Sequence, residues 1–167
     1  IKWKDALNKI NSLKNQNEIT FSHFDWALDF PEILNPNIIN EKERGFDIVI
    51  GNPPYIQIQK MGKDVIELEQ QNYQTFKRTG DIYALFYEKG LNLLKNKGTL
   101  SYITSNTWMR TKFGEDLRDY FLNNVKIKNL VNFEDTQIFP SATVEVNILI
   151  ANKDVWNFPI NATVVKG

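Results

Sequence analysis

Residues 45–55, with the sequence GFDIVIGNPPY, constrain the fold of this chain more than any other stretch. The apolar run at 46–50 predicts a short strand that is buried on both faces of a sheet. Gly51 admits unusual backbone angles, and the two prolines that follow lack the amide hydrogens of a ladder, so the strand must end in a stiff turn. That turn presents Asn52 and Tyr55 at the carboxyl end of a strand, where ligands bind in open α/β sheets.

The next periodic segment predicts a helix over residues 81–95 and a strand over 100–104. Asp81 is the predicted N-cap, because an aspartate side chain accepts amide hydrogens at the start of a helix. The helix is apolar almost all round, which is typical of a helix that a sheet covers. The order strand, helix, strand predicts two parallel strands joined by a right-handed crossover.

Downstream, an amphipathic helix is predicted over 113–124. Alternating apolar and polar residues predict strands over 126–133 and 144–150, and residues 162–165 predict one more. The short connection between the first two strands predicts an antiparallel pair at the edge of the sheet. The predicted fold class is therefore α/β, a mostly parallel sheet with an antiparallel edge hairpin and helices on both faces.

Three further segments are less regular. Residues 1–16 predict an amphipathic helix whose apolar face needs a partner. Residues 18–44 are rich in aromatic side chains and are interrupted by two prolines. Residues 56–79 are polar, show no compact core, and predict a long loop of the kind that is usually functional or mobile.

Composition excludes several classes of protein. The 167 residues predict a single domain, and a net charge of zero gives no global electrostatic argument for nucleic-acid binding. The absence of cysteine excludes disulfides and cysteine-based metal sites, and a single histidine, His23, argues against a histidine-rich one. Together these counts predict that the chain binds no metal. No apolar run approaches the ~18 residues of a membrane span. The start at Ile1, without an initiator methionine or a signal-peptide layout, predicts a segment excised from a longer, cytoplasmic protein.

The stretch from Phe46 to Tyr55 resembles the catalytic motif of amino-methyltransferases that use S-adenosylmethionine. Residues 24–152 resemble adenine-N6 DNA methyltransferases of restriction-modification systems, especially the large single-chain type II enzymes. The resemblance implies the second half of a methyltransferase Rossmann-like fold, with the glycine-rich cofactor half and the target-recognition domain outside residues 1–167. It also implies a parent enzyme that methylates a flipped adenine in double-stranded DNA. By itself, the chain is expected to bind the cofactor weakly or not at all and to be inactive without the rest of the parent chain.

The same resemblance assigns site residues. The catalytic set is the Asn-Pro-Pro-Tyr turn, in which Asn52 and the Pro53 carbonyl accept the hydrogens of the target amino group, and it comprises Asn52, Pro53, Pro54 and Tyr55. Tyr55 stacks on the flipped base from one side. Phe139, in the Phe139-Pro140 pair before the last long strand, stacks from the other side, although a loop aromatic folded onto the core is an alternative for this residue.

The cofactor-binding residues implied in the same way are Asn52, Pro54 and Phe86. Phe86 ends a Tyr-x-x-Phe pattern that begins at Tyr83, and core packing is the alternative for its ring. An acidic residue just before the central strand, Asp25 or Asp29, can touch the adenine ring of the cofactor in this family, and a solvated acid is the alternative there.

Two other functions stay open. Release-factor glutamine methyltransferases share the Asn-Pro-Pro-Tyr motif and use it on a side-chain amide. Phe139, the long polar loop after Tyr55 and the Tyr83-to-Phe86 pattern favour DNA as the substrate. The third possibility is a fragment that folds and acts as a structural or binding module without catalysis.

Overall fold

A computed structural model describes residues 24–136, 138–139, 144–154 and 160–167. Within them, the strands are β1 (Phe46–Gly51), β2 (Leu94–Ser105), β3 (Lys126–Glu134), β4 (Val146–Asn152) and β5 (Asn161–Lys166). The α-helices are α1 (Trp26–Asp29), α2 (Pro31–Leu34), α3 (Asp64–Gln70), α4 (Tyr83–Leu93) and α5 (Glu115–Asn124). Short 3₁₀ turns lie at Ile58–Lys60, Thr107–Met109 and Lys112–Gly114. The helix predicted over residues 1–16 lies outside the described residues.

The strands form a single sheet in the order β1-β2-β4-β3-β5. β1 and β2 are parallel and are joined through α4, which confirms the predicted crossover unit. β3 and β4 are antiparallel, as predicted, but they lie inside the sheet. The reason is that β4 also pairs antiparallel with β2, while β5 pairs parallel with β3. The α/β fold class is therefore confirmed, with parallel and antiparallel pairs in equal number and the hairpin away from the edge.

The main core lies on one face of this sheet. Leu100 and Tyr102 of β2 pair with Ala151 and Leu149 of β4, so these four side chains share that face. The ring of Tyr87 on α4, fully buried, lies 5.3 Å from the ring of Tyr102 and 5.1 Å from that of Phe121 on α5. Both long helices therefore cover the same side of the sheet.

The opposite face is open in the part of the chain that the structure describes. Ile48 and Ile50 of β1 point to it and are 65% and 78% exposed. The prediction that β1 is buried on both faces was therefore wrong for the described residues. The apolar run of β1 has the same composition whether one face or both are covered, so the sequence could not distinguish them.

The start of α4 also differs from the prediction. The helix begins at Tyr83, and no side chain caps its first turn. Asp81 contributes its backbone instead: its carbonyl accepts from the Ala84 N–H at 3.1 Å, and the residue forms an isolated antiparallel bridge with Gln57. The Asp81 side chain is therefore available to the cavity described below.

The polar sequence predicted a long loop without a core over residues 56–79, and this prediction was wrong. Ile58, Val65 and Leu85 form a second buried cluster, with the apolar side chains of α3 and its flanks packed around it. The two ends of the segment are tied together, since Ile58 N–H donates to the Gly80 carbonyl and Ile82 N–H to the Ile56 carbonyl, both at 2.9 Å. The segment is a small folded unit that packs on α4.

The described residues contain neither a membrane-spanning helix nor a cluster of metal-binding side chains. None of their helices combines the length and apolar character needed to cross a membrane. Nor do they contain three or more acidic or imidazole side chains close enough together to hold a metal ion.

Candidate active site

The Asn-Pro-Pro-Tyr turn leaves the carboxyl end of β1 with Asn52 and Pro54 exposed, Pro53 buried and Tyr55 half-buried. The Tyr55 hydroxyl lies 2.9 Å from Asn52 Oδ1 and 3.3 Å from the carbonyl oxygen of Ile103, near the end of β2. Burial raises the pKa of Tyr55, so its hydroxyl remains a donor at neutral pH. The tyrosine thus holds the oxygen of Asn52 next to its own hydroxyl group.

A cavity of about 410 Å³ lies beside Tyr55, within the roughly 300–1,000 Å³ range of small-molecule sites. Its apolar walls come from distant parts of the chain: Tyr55 after β1, Phe113 before α5, and Val144 before β4. The remaining lining residues are Ile56 and the polar Gln57, Lys60, Asp81, Ser105 and Thr107. The combination of flat apolar walls and a few polar groups suits a planar heterocycle that carries hydrogen-bonding edges.

A buried tyrosine, Tyr83, supports this cavity from behind. Its ring stands edge-on to that of Tyr55, with centroids 6.4 Å apart. Its hydroxyl lies 3.0 Å from Thr107 Oγ1, which in turn lies 3.0 Å from Ser105 Oγ. Burial raises the pKa of Tyr83 well above its ordinary value, and the nearby Asp81 adds to the shift. The Tyr55 ring is therefore braced by a neutral, hydrogen-bonded neighbour.

The carboxyl group of Asp81 is the acidic group of the cavity. Burial raises its pKa, and a hydrogen bond from Tyr83 and the positive charge of Lys60 oppose that shift. A carboxylate between a phenol donor and a lysine supplies a fixed acceptor at the cavity wall.

The sequence analysis assigned no role to Ser105 and Thr107, which line this cavity. A usable signal was present: Ser105 ends β2 and Thr107 follows it, and the carboxyl ends of parallel neighbouring strands meet at the same edge of a sheet. Val144 had no such signal, because its position depends on how the connection between β3 and β4 returns to the sheet.

Tyr55 lines the cavity, whereas the other predicted site residues do not: Asn52, Pro53, Pro54, Phe86, Phe139 and Asp25. Phe86 is on α4, 39% exposed and outside both buried clusters, so the structure does not support core packing as the alternative for its ring. Phe139 is half-buried and does not line the cavity. From the same connection between β3 and β4, Val144 lines it instead. Asp25 caps α1, accepting from the N–H groups of Ala27 and Leu28 at 2.8 and 3.0 Å.

Comparison with solved structures places the architecture among methyltransferases. A structure assigned to the class I S-adenosylmethionine-dependent methyltransferases, from Listeria monocytogenes, aligns with a TM-score of 0.56 at 20% identity, over 73% of this chain and 36% of that one. The type IIL restriction-modification enzyme MmeI, solved in complex with DNA, aligns with a TM-score of 0.52 at 16% identity, over 75% and 18%. The fold is that of an S-adenosylmethionine-dependent methyltransferase.

The sequence comparisons identify the family within that class. Residues 1–139 match the family described as Eco57I restriction-modification methylase, and the chain belongs to this family. The type II methyltransferase M.BstVI of Geobacillus stearothermophilus is 30% identical over 131 residues, which are 78% of this chain. The chain spans 22% of the length of that relative.

Proposed function

We propose that the protein containing this chain is a site-specific DNA adenine-N6 methyltransferase of a restriction-modification system, with Asn52 and Tyr55 at its reacting centre. The observation that carries the proposal is the arrangement at the end of β1, where the Tyr55 hydroxyl lies 2.9 Å from the Asn52 oxygen and Tyr55 lines a cavity of about 410 Å³. Membership of the restriction-modification methylase family supports the reaction class.

Methyl transfer to adenine requires the Asn-Pro-Pro-Tyr turn to activate a weak nucleophile, the amino group of the base. The lone pair of an aromatic amino group is delocalised into the ring, so the nitrogen must become pyramidal before it reacts. Asn52 Oδ1 and the Pro53 carbonyl oxygen are the proposed acceptors of its two hydrogens. These bonds strengthen as positive charge develops on the nitrogen, which stabilises the transition state more than the ground state. The consecutive prolines restrict the backbone that carries the Pro53 carbonyl, because their rings fix φ.

The Tyr55 hydroxyl does not block this role of Asn52. An amide oxygen has two lone pairs, and the bond from Tyr55 at 2.9 Å uses one of them. The second remains for the target amino group. The tyrosine therefore orients the catalytic oxygen while its ring offers a stacking surface.

Capture of the base must offset the loss of its place in the duplex. Flipping costs a few kcal/mol, and stacking on aromatic side chains returns roughly 1–3 kcal/mol per base. Tyr55 and Phe139 are the proposed stacking rings, and the cavity between Tyr55 and Val144 is the proposed entrance to the site.

S-adenosylmethionine, when bound, supplies a methyl group on a positively charged sulfur. Asn52, Pro54 and Phe86 are the proposed contacts of this chain with it. They fit this role, because Asn52 and Pro54 are exposed at the strand end and Phe86 keeps 39% of its surface accessible on α4.

The test is the Asn52→Ala substitution in the whole protein. We expect methyl transfer to duplex DNA to slow by ~10²–10³, the usual cost of removing one transition-state hydrogen bond, with a smaller change in cofactor affinity. Asn37→Ala, at an exposed turn residue outside the site, is the matched control and is expected to leave the rate unchanged. A normal rate for Asn52→Ala would refute the catalytic assignment.

A further inference from the structure

Asn106, the first residue after β2, joins both ends of the connection between β3 and β4. It is only 2% exposed. Its Nδ2 donates to Asn132 Oδ1 on β3 at 2.9 Å and to Glu145 Oε2, immediately before β4, at 3.0 Å. Its backbone N–H donates to the Glu145 carbonyl oxygen at 3.1 Å. One buried amide therefore ties the end of β2 to β3 on one side and to the residue before β4 on the other.

The partners of Asn106 are themselves held in place. Asn132 Nδ2 donates to Glu134 Oε1 at 3.0 Å, which turns its Oδ1 towards Asn106. Glu145 also accepts from Arg110 Nη2 at 2.8 Å. Asn106, a backbone N–H of Asp135 and Arg110 together lower the pKa of Glu145, so the carboxylate is ionised at neutral pH. Asp135 lies at the β3 end of the connection, so Glu145 adds a second tie between its two ends.

This network lies directly behind the cavity. Ser105 and Thr107, on either side of Asn106, line the cavity, and so does Val144, next to Glu145. Core packing alone needs no amide at this position, since an apolar side chain of similar size would fill the same space. What the amide adds is a fixed distance between the wall contributed by β2 and the wall contributed by the connection.

We propose that Asn106 is a positioning residue for base capture, which sets the width of the cavity between Tyr55 and Val144. The inference rests on the proposed function, since it concerns the same substrate. Asn106 touches neither base nor cofactor in this scheme; it acts through Val144 and Glu145.

The experiment compares Asn106→Ala with Asn152→Ala in the whole protein. Asn152 is a matched control, because it is also a buried asparagine: its Nδ2 donates to the Lys97 and Gly98 carbonyls and to Thr99 Oγ1, at the opposite end of the sheet. KM and kcat are measured on duplexes whose target adenine is paired or mismatched. Flipping is followed by the fluorescence of 2-aminopurine at the target position.

For Asn106→Ala we expect KM for the paired duplex to rise by about tenfold, because the variant loses the two hydrogen bonds of the Asn106 side chain. The rise should be smaller on the mismatched duplex, where less unpairing energy must be offset. The fluorescence increase on binding should fall in parallel. Asn152→Ala should lower thermal stability to a similar extent and leave KM within about twofold of wild type, because its contacts lie away from the cavity.

A pair of charge variants keeps the test decisive if Asn106→Ala fails to fold. Asn106→Asp places a second carboxylate beside Glu145 and should raise KM further, whereas the double variant Asn106→Asp with Glu145→Gln restores a donor–acceptor pair and should recover most of the loss. An unchanged KM for both single variants, with transfer slowed as expected by Asn52→Ala, overturns the inference and leaves the proposed function intact. A wild-type protein that transfers no methyl group to DNA overturns the proposed function itself.

Discussion

Glu88 offers a stability test of the unit formed by residues 56–82. It lies on α4, is 5% exposed, and accepts from the N–H of Thr75 at 2.9 Å and that of Gln74 at 3.2 Å. The hydroxyl of Thr75, which is also buried, lies 2.9 Å from the same carboxylate. In the described residues, this carboxylate ties the polar stretch before α4 to the helix.

The cost of Glu88→Ala follows from what each donor can do afterwards. The Thr75 hydroxyl keeps an acceptor, because the Ala84 carbonyl lies 3.1 Å from it. The groups that lose their hydrogen-bond acceptor are therefore the backbone N–H groups of Gln74 and Thr75. A buried donor without a partner costs ~1–3 kcal/mol, and the less buried Gln74 N–H costs less because water reaches it. We expect the free energy of unfolding to fall by about 2–4 kcal/mol.

The assay is urea unfolding of this chain, with amide hydrogen exchange at Gln74 and Thr75 as the local readout. Glu88→Gln should lie between wild type and Glu88→Ala, since its carbonyl oxygen still accepts from Thr75 while its NH₂ group faces the Gln74 N–H. Glu69→Ala is the control: that carboxylate pairs with Arg78 at 2.9 Å, and both side chains are more than half exposed, so its loss should cost under ~1 kcal/mol. Equal costs for Glu88→Ala and Glu69→Ala would refute the reasoning.

Two further predictions concern the base pocket and alkaline pH. Phe139→Ala should reduce methylation of paired duplex DNA more than methylation of a duplex with a mismatched target adenine, because flipping a mismatched base needs less unpairing energy. Equal rates for wild type and variant on both duplexes would exclude the stacking role. Transfer to a release-factor peptide but not to DNA would favour the glutamine reaction. Burial raises the pKa of Tyr87 well above its ordinary value of 10.0 and that of Tyr120 to about 12. Because the folded chain holds these protons more tightly, their contribution to stability is complete below pH 10 and is lost as the pH rises from 10 towards 12. Tyr120→Phe should flatten the fall in unfolding free energy over that interval, and an unchanged slope would contradict this account.

Local sequence was sufficient for the features that depend on neighbouring residues. The two prolines after Asn52 can neither donate to a ladder nor continue a strand, so the end of β1 and the turn follow directly. The contact between Tyr55 and Asn52 spans three residues and belongs to that turn. The parallel β1–α4–β2 unit and the strands at 126–133 and 144–150 likewise follow from periodicity and chain order. The catalytic and stacking roles assigned to these residues remain predictions.

Only the tertiary structure decided what depends on partners far away in the chain. The alternation of β4 is compatible with an edge or an interior strand, and its pairing with both β2 and β3 determined which. In the sequence, Glu88 is a polar position on an apolar helix. The structure shows that it accepts hydrogen bonds from Thr75, 13 residues earlier in the chain. Asn106 is joined to Asn132 and Glu145 across 26 and 39 residues. Hydrogen bonds of this kind form only when the sheet has brought distant segments together, and a single sequence carries no periodic signal for them.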